Sequence, residues 1–257
     1  MAARTTHVTQ FTDRLAVSCE ACGLSRLCLP SALSNREVSA LNDIVRRRRQ
    51  LPRRAMLFHS GEPMRGVYAV RSGAIKCYDV SPDGEESVLG FSFPGELVGL
   101  EALGTGAHQC FAVALETTQY CEIPYRALQD LMAESAGIRE HMLRMMGQQL
   151  QQLAECSKTV RQRDARLRVQ RFLSDYAVRL SARGLDGSCF RLAMERRDIA
   201  NFLGLTQETV SRALGTLQQQ GIVQARGRQI HFLQPPDADW HHPNPRIRCT
   251  AQPDVGK

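Results

Sequence analysis

Apolar and polar positions alternate with different periods along the chain, and the changes of period mark its elements. Ser34 to Gln50 reads as a short helix ending in Arg46, Arg47, Arg48 and Arg49, with Pro52 closing it. Cations are favoured at a helix C-terminus, so the arginine run needs no nucleic-acid role. From Leu57 to Pro124 short apolar segments are punctuated by Gly61, Gly66, Gly73, Gly84, Gly90, Gly95 and Gly99, the spacing of a small all-β barrel or jelly roll. Ser81-Pro82-Asp83-Gly84 is a turn joining strands Ala74–Val80 and Glu86–Phe93, because proline presets φ and glycine accepts a positive one. Small jelly rolls of this kind often enclose a ligand.

A long helix follows from about Ile138 to Val160. Leu143, Met146, Leu150, Leu153, Ser157 and Val160 recur in steps of three and four, flanked by Gln and Arg. A core helix would carry a broader apolar stripe, so this narrow seam predicts a second copy of the helix and hence a homodimer, with packing inside the chain as the alternative. Arg166 to Arg183 is the next helix, ending at Gly184. The tail from Gln234 contains Pro235, Pro236, Pro243, Pro245 and Pro253 without periodicity, which predicts disorder.

Between these lies RRDIANFLGLTQETVSRALGTLQQQG, two helical patterns broken at Gly204. Ile199, Leu203, Leu205, Val210, Leu214 and Leu217 would pack the pair together, and the Thr206 hydroxyl can cap the second helix. Glu208, Ser211 and Arg212 then share an exposed face at i, i+3 and i+4, in the turns that enter a major groove. Arg212 can reach guanine O6 and N7 with two hydrogen bonds, and Glu208 can accept from a cytosine amino group. An ordinary helical hairpin with a solvated Glu/Arg face is the competing reading. Gln218, Gln219 and Gln220 read as a solvated helix end. Arg226-Gly227-Arg228 reads as the turn of a wing with its cations near phosphates.

The 257 residues suffice for two modest domains. A net charge of +7 suits an anionic partner such as double-stranded DNA without proving one. The start MAARTTHVTQ has no apolar core region behind its arginine, and no run of eighteen apolar residues occurs, so a cytoplasmic protein with no membrane span is expected. There, nine cysteines read as ligands or reduced core residues rather than disulfides. Cys19, Cys22 and Cys28 stand in a Cys-x2-Cys-x5-Cys spacing just before Pro30. Thiolates suit zinc or iron–sulfur centres, which usually take four protein ligands, so a fourth must come from elsewhere in the chain. Spacing alone does not choose among Cys77, Cys110 and Cys121. Enzymes are disfavoured: the chain has no Gly-rich phosphate loop, no HExxH and no plausible nucleophile–base pairing, and Glu85 and Glu86 read as solvated turn carboxylates.

CEACGLSRLC, RSGAIK, GELVG, LETTQYCEIP and LGLTQETVSRALG together resemble the fumarate–nitrate reduction (FNR-type) oxygen regulators of the cyclic-AMP receptor protein superfamily. The likeness covers nearly everything from Cys19 to Leu233. It implies an α+β fold with an N-terminal β-roll (jelly-roll) sensory domain, a long dimerisation helix and a C-terminal winged helix-turn-helix. The expected divisions are 1–30 for the cluster segment, 31–135 for the roll, 136–162 for the dimer helix, 163–233 for the DNA-binding domain and 234–257 for the tail. The resemblance also implies a [4Fe–4S] cluster on Cys19, Cys22, Cys28 and Cys121, the last because LETTQYCEIP carries the family's internal cysteine. Cys110 remains a rival, though Cys77, Cys110, Cys156, Cys189 and Cys249 are read as structural or incidental. Glu208, Ser211 and Arg212 are expected to read two TTGAT-like half-sites, with Leu143, Met146, Leu150, Leu153 and Val160 in the dimer seam and RNA polymerase as a further partner. Cyclic-AMP binders of the superfamily carry an Arg-Ser pair after the GEL motif. Here that region reads ALGTGAHQCFAVAL, with His108 and Gln109, so no cyclic nucleotide is expected. The competing reading is a zinc-stabilised regulator of the same architecture without oxygen sensing.

Overall fold

The computed structural model describes residues 18–234. The proline-rich tail beyond 234, with Cys249, lies outside the described residues. The N-terminal half is a roll of two four-stranded antiparallel sheets. One runs β1 (Arg46–Leu51), β8 (Thr118–Pro124), β3 (Gly66–Ser72), β6 (Leu97–Val98). The other runs β2 (Met56–Phe58), β7 (Phe111–Ala114), β4 (Ile75–Val80), β5 (Glu86–Ser92). The two-residue period of the strands sorts their side chains between two cores. Tyr68, Val70 and Tyr120 point inward and meet Phe58, Ile75 and Ala112 between the sheets. Val67, Ala69 and Ile123 point outward and pack against helices. Gly73, at φ 83°, makes the tight link between β3 and β4; a Cβ there would sit 2.7 Å from the Thr117 carbonyl oxygen. The expected Ser81–Gly84 turn closes with Gly84 N–H donating to the Ser81 carbonyl at 2.9 Å.

The arginine run is not a helix end. α1 spans Asn35–Ile44, started by a reciprocal Ser34–Glu37 capping box, and Arg46–Leu51 is β1, paired antiparallel with β8. Arginine suits a helix locally, but pairing with a strand some seventy residues further on satisfies the β1 backbone and overrides that preference. α2 (Tyr125–Glu134), which the pattern reading did not anticipate, follows β8 directly, burying Leu128 and Leu131.

α3 (Ala136–Arg161) starts where the Ser135 hydroxyl accepts from the Ile138 amide, and α4 (Ala165–Ser181) where Asp164 accepts from Arg166 and Leu167. The C-terminal domain adds β9 (Cys189–Arg191), α5 (Arg196–Leu203), α6 (Gln207–Gln219), β10 (Val223–Arg226) and β11 (Gln229–Phe232). Its sheet order is β10-β11-β9, and Gly227 (φ 61°) turns the wing. One apolar core links the two domains: Val88, Phe91 and Phe93 of the roll share it with Phe172, Tyr176 and Leu203. Among the described residues no helix is long and apolar enough to cross a membrane.

Candidate nucleic-acid interface and cysteine site

Gly204 ends α5 in the left-handed conformation, where glycine meets no Cβ penalty. Leu205 N–H then returns to the Ala200 carbonyl at 2.8 Å, and the Thr206 hydroxyl accepts from Thr209 N–H at 3.1 Å. Ile199, Leu203, Val210, Leu214 and Leu217 are buried beneath this turn, as their periodicity predicts. Glu208, Ser211 and Arg212 lie together on the open face of α6. Glu208 and Arg212 form an i,i+4 ion pair with their side chains 72% and 77% exposed, so solvent screening leaves the pair little stabilising weight. Both groups remain accessible to a groove. Arg226 at the wing is exposed, but Arg228 is not available as the pattern suggested. It donates inward to the Ala193 carbonyl at 3.2 Å and to Glu195 at 3.1 Å. Gln218 stays exposed at the end of α6 and accepts from Ala225 N–H at 3.0 Å.

On α3, Leu143, Leu150 and Leu153 are exposed by 60%, 67% and 56%, while Met146 and Val160 are half-buried. Three leucines thus stand open to solvent along one long helix.

The three N-terminal cysteines lie on a chain of tight turns in front of the 3-10 turn Leu29–Ala32. Ser25 N–H donates to the Cys22 carbonyl and Cys28 N–H to the Leu24 carbonyl, each at 2.9 Å. Cys19 N–H donates to the Asn42 side chain of α1 at 3.0 Å. Leu27 lies over Gly95, where a Cβ would sit 2.9 Å from that of Leu27, so the first glycine of GELVG makes room for the cysteine loop. Cys121 stands opposite Ala69 in the β3–β8 register and packs, like Cys28, against the outer core. Burial pushes the Cys28 thiol up to about 12; a backbone bond at Leu29 opposes this, and Cys121, Cys19 and Cys22 add to it. The other three thiols therefore lie within electrostatic reach of Cys28.

Cys110 lies elsewhere. It is buried in the core between the sheets, in the cluster that Cys77 also packs against, and its thiol donates to Glu101 at 3.9 Å. Among the described residues, no three His, Cys, Asp or Glu side chains converge closely enough to hold a single metal ion. The donor set by Cys28 is nonetheless made of thiols alone, and in kind it fits an iron–sulfur centre, whose ligands are thiolates.

In the loop after GELVG, His108 is buried and stacked on Phe58 at 3.6 Å between ring centres, with Nδ1 2.9 Å from Glu101. Glu96 of the same motif is gripped by Arg179 of α4 and by Arg183 just beyond its end, at 2.5 and 2.6 Å. Glu86, read from sequence as a solvated turn carboxylate, instead pairs with the buried Lys76.

Residues 48–135 match the cyclic nucleotide-binding domain family and residues 167–237 the Crp-like helix-turn-helix domain family. The chain is 40% identical over 215 residues to the anaerobic regulatory protein of Pasteurella multocida, covering 84% of this chain and 79% of that one. It is 38% identical to the fumarate nitrate reduction regulatory protein of Klebsiella oxytoca, covering 84% and 86%. Among solved structures, FixK2 from Bradyrhizobium japonicum superposes with a TM-score of 0.63 at 28% identity, covering 72% of this chain and 91% of that chain.

Proposed function

The chain belongs to the fumarate and nitrate reduction regulators, DNA-binding transcription regulators and not enzymes, and we propose that this member responds to oxygen through a [4Fe–4S] cluster held by Cys19, Cys22, Cys28 and Cys121. The observation that carries the reading is that Cys28 of the N-terminal loop and Cys121 of β8 pack against the same outer core, with Cys19 and Cys22 in electrostatic reach of Cys28. The cluster would supply iron–sulfur bonds that oxygen breaks.

The chain's own residues link this corner to the dimer helix. Leu29, one residue after Cys28, is fully buried in the outer core with Ile138 and Met142 of α3, and the Ser31 hydroxyl lies 3.5 Å from His141 on the same helix. An anchored loop thus braces the start of α3, just before Leu143. A released loop removes that brace and weakens the leucine seam. Two protomers joined through the seam place two α6 helices on a palindromic, TTGAT-like site, with half-sites one helical turn apart. Linkage makes the second contact effectively intramolecular and raises apparent affinity by roughly 10²–10⁴. RNA polymerase is the expected further partner. No cyclic nucleotide is required, since the region after GELVG carries no Arg-Ser pair and Glu96 is already engaged by Arg179 and Arg183.

The test is anaerobic purification with iron, sulfide and zinc assays and an absorption spectrum. A brown protein with about four irons and four sulfides per chain, bleaching in air, is expected for a Cys-ligated [4Fe–4S] cluster. Cys121→Ser should lose the iron while Cys110→Ser keeps it. Stoichiometric zinc in colourless, air-indifferent protein would overturn the reading in favour of a structural metal.

A further inference from the structure

The DNA-binding domain is bound to the roll of its own chain by polar contacts far apart in sequence. β5 is the outer strand of its sheet, in the order β2-β7-β4-β5, so its far edge has no strand neighbour. Asn201, on the first helix of the helix-turn-helix, takes that place with both ends of its side-chain amide. Its Oδ1 accepts from Val88 N–H at 2.6 Å and its Nδ2 donates to the Glu86 carbonyl at 2.6 Å. The side chain thereby satisfies the edge as a paired peptide group would.

A second anchor stands beside it. Lys76 of β4, 7% exposed, is held between Glu86 and Asp198, the latter 3.1 Å away. Asp198 also accepts from Glu195 N–H at 3.0 Å in the capping box of α5, so the same carboxylate starts that helix and ties it to the roll. The third anchor is Glu96, which receives Arg179 from α4 and Arg183 from just beyond it, while the same arginines donate to the Phe91 and Pro94 carbonyls at 2.6 and 2.5 Å. Phe91 and Phe93 fill the space between the anchors against Phe172, Phe202 and Tyr176. Meanwhile Glu208 and Arg212 face outward, and Leu143, Leu150 and Leu153 stay open.

Three anchors at separate points fix an orientation, which a single hinge at 162–164 would not. From this geometry we propose that the Asn201, Lys76–Asp198 and Glu96–Arg179/Arg183 contacts are a positioning clamp. It holds each helix-turn-helix at a set angle to the dimer helix and so selects the separation of DNA half-sites that the protein accepts. None of the clamping residues on the roll touches DNA in this reading, which rests on the dimeric DNA binding proposed above. Duplex DNA turns once per about 10.5 base pairs, so each added pair rotates a half-site by about 34°. A rigidly held pair of reading helices tolerates little of that rotation. A loosely held pair tolerates much more.

The experiment uses the full chain, prepared anaerobically, as wild type, Glu96→Gln and Glu96→Asp. The first readout is hydrogen exchange over 86–92, where the Val88 amide is protected by Asn201. The second is affinity for palindromes lengthened or shortened by one and two base pairs, beside a single half-site. Glu96→Gln should speed exchange over this strand and reduce the preference for the best spacing over the poorest by about tenfold. Half-site affinity should be unchanged, and Glu96→Asp should restore part of both effects. Unchanged exchange in Glu96→Gln overturns the clamp itself. Faster exchange with the wild-type spacing profile overturns its role in selecting sites. If wild type binds a palindrome no better than a half-site, the dimeric reading fails and half-site selection fails with it, while the exchange readout still decides whether the two domains are clamped.

Discussion

The leucine seam makes a quantitative prediction through Leu150→Ala. Leu150 is 67% exposed on α3 of the single chain, so its truncation should change the stability of that chain by less than about 0.5 kcal/mol. The dimer is different. Truncation removes apolar surface worth about 2.4 kcal/mol for three carbons at about 0.8 each when burial is complete. About two-thirds of the residue is left for a partner to cover, giving about 1.6 kcal/mol per chain. Both copies change together, so the dimer loses about 3 kcal/mol, which raises its dissociation constant on the order of 10²-fold. Anaerobic sedimentation equilibrium of wild type and variant over a range of concentrations measures that shift directly. Binding to a palindrome and to a single half-site provides the functional counterpart: the first should weaken and the second should not. Wild-type dimerisation in the variant, within about threefold, would place Leu150 outside the interface and refute the assignment of this face.

Two further predictions concern other parts of the molecule. Arg212→Ala should cost about 1–3 kcal/mol at the guanine it reads and relax selectivity there; equal weakening on specific and random duplexes would reduce Arg212 to a phosphate contact. Glu96 sets an acid limit. Burial alone would raise its carboxyl, but Arg179 and Arg183 hold it at about 2 against an ordinary 4.5. Its contribution is therefore complete above pH 4.5 and disappears as pH falls towards 2, on the order of 3 kcal/mol in all. Acid unfolding monitored by circular dichroism should lose that part of its slope in Glu96→Gln, and an unchanged slope would contradict the ion cluster.

The helix-turn-helix was legible from the chain alone because its determinants are local. A glycine at the turn, a hydroxyl three residues before the amide it caps, and leucines at helical spacing need only neighbours in sequence. The same holds for the long helix and the Ser81–Gly84 turn. The Cys19–Cys28 spacing by itself raises a metal-binding reading, since three thiols in ten residues serve a core poorly. What distance along the chain obscures is different in kind. Arg46–Leu51 carries no local sign of being a strand; it becomes one because β8 offers it hydrogen bonds. Spacing does not separate Cys110 from Cys121, and it is the pleat of the two sheets that sends one into the roll and the other out to the core that Cys28 shares. Glu96 and Asn201 carry no local sign of the partners they find. They acquire their partners when a domain more than eighty residues away docks on the roll, because a buried charge or an open strand edge must be satisfied by whatever the fold brings to it. Local periodicity thus determined the parts and the chemistry they could carry, while burial and long-range hydrogen bonding decided how those parts face one another.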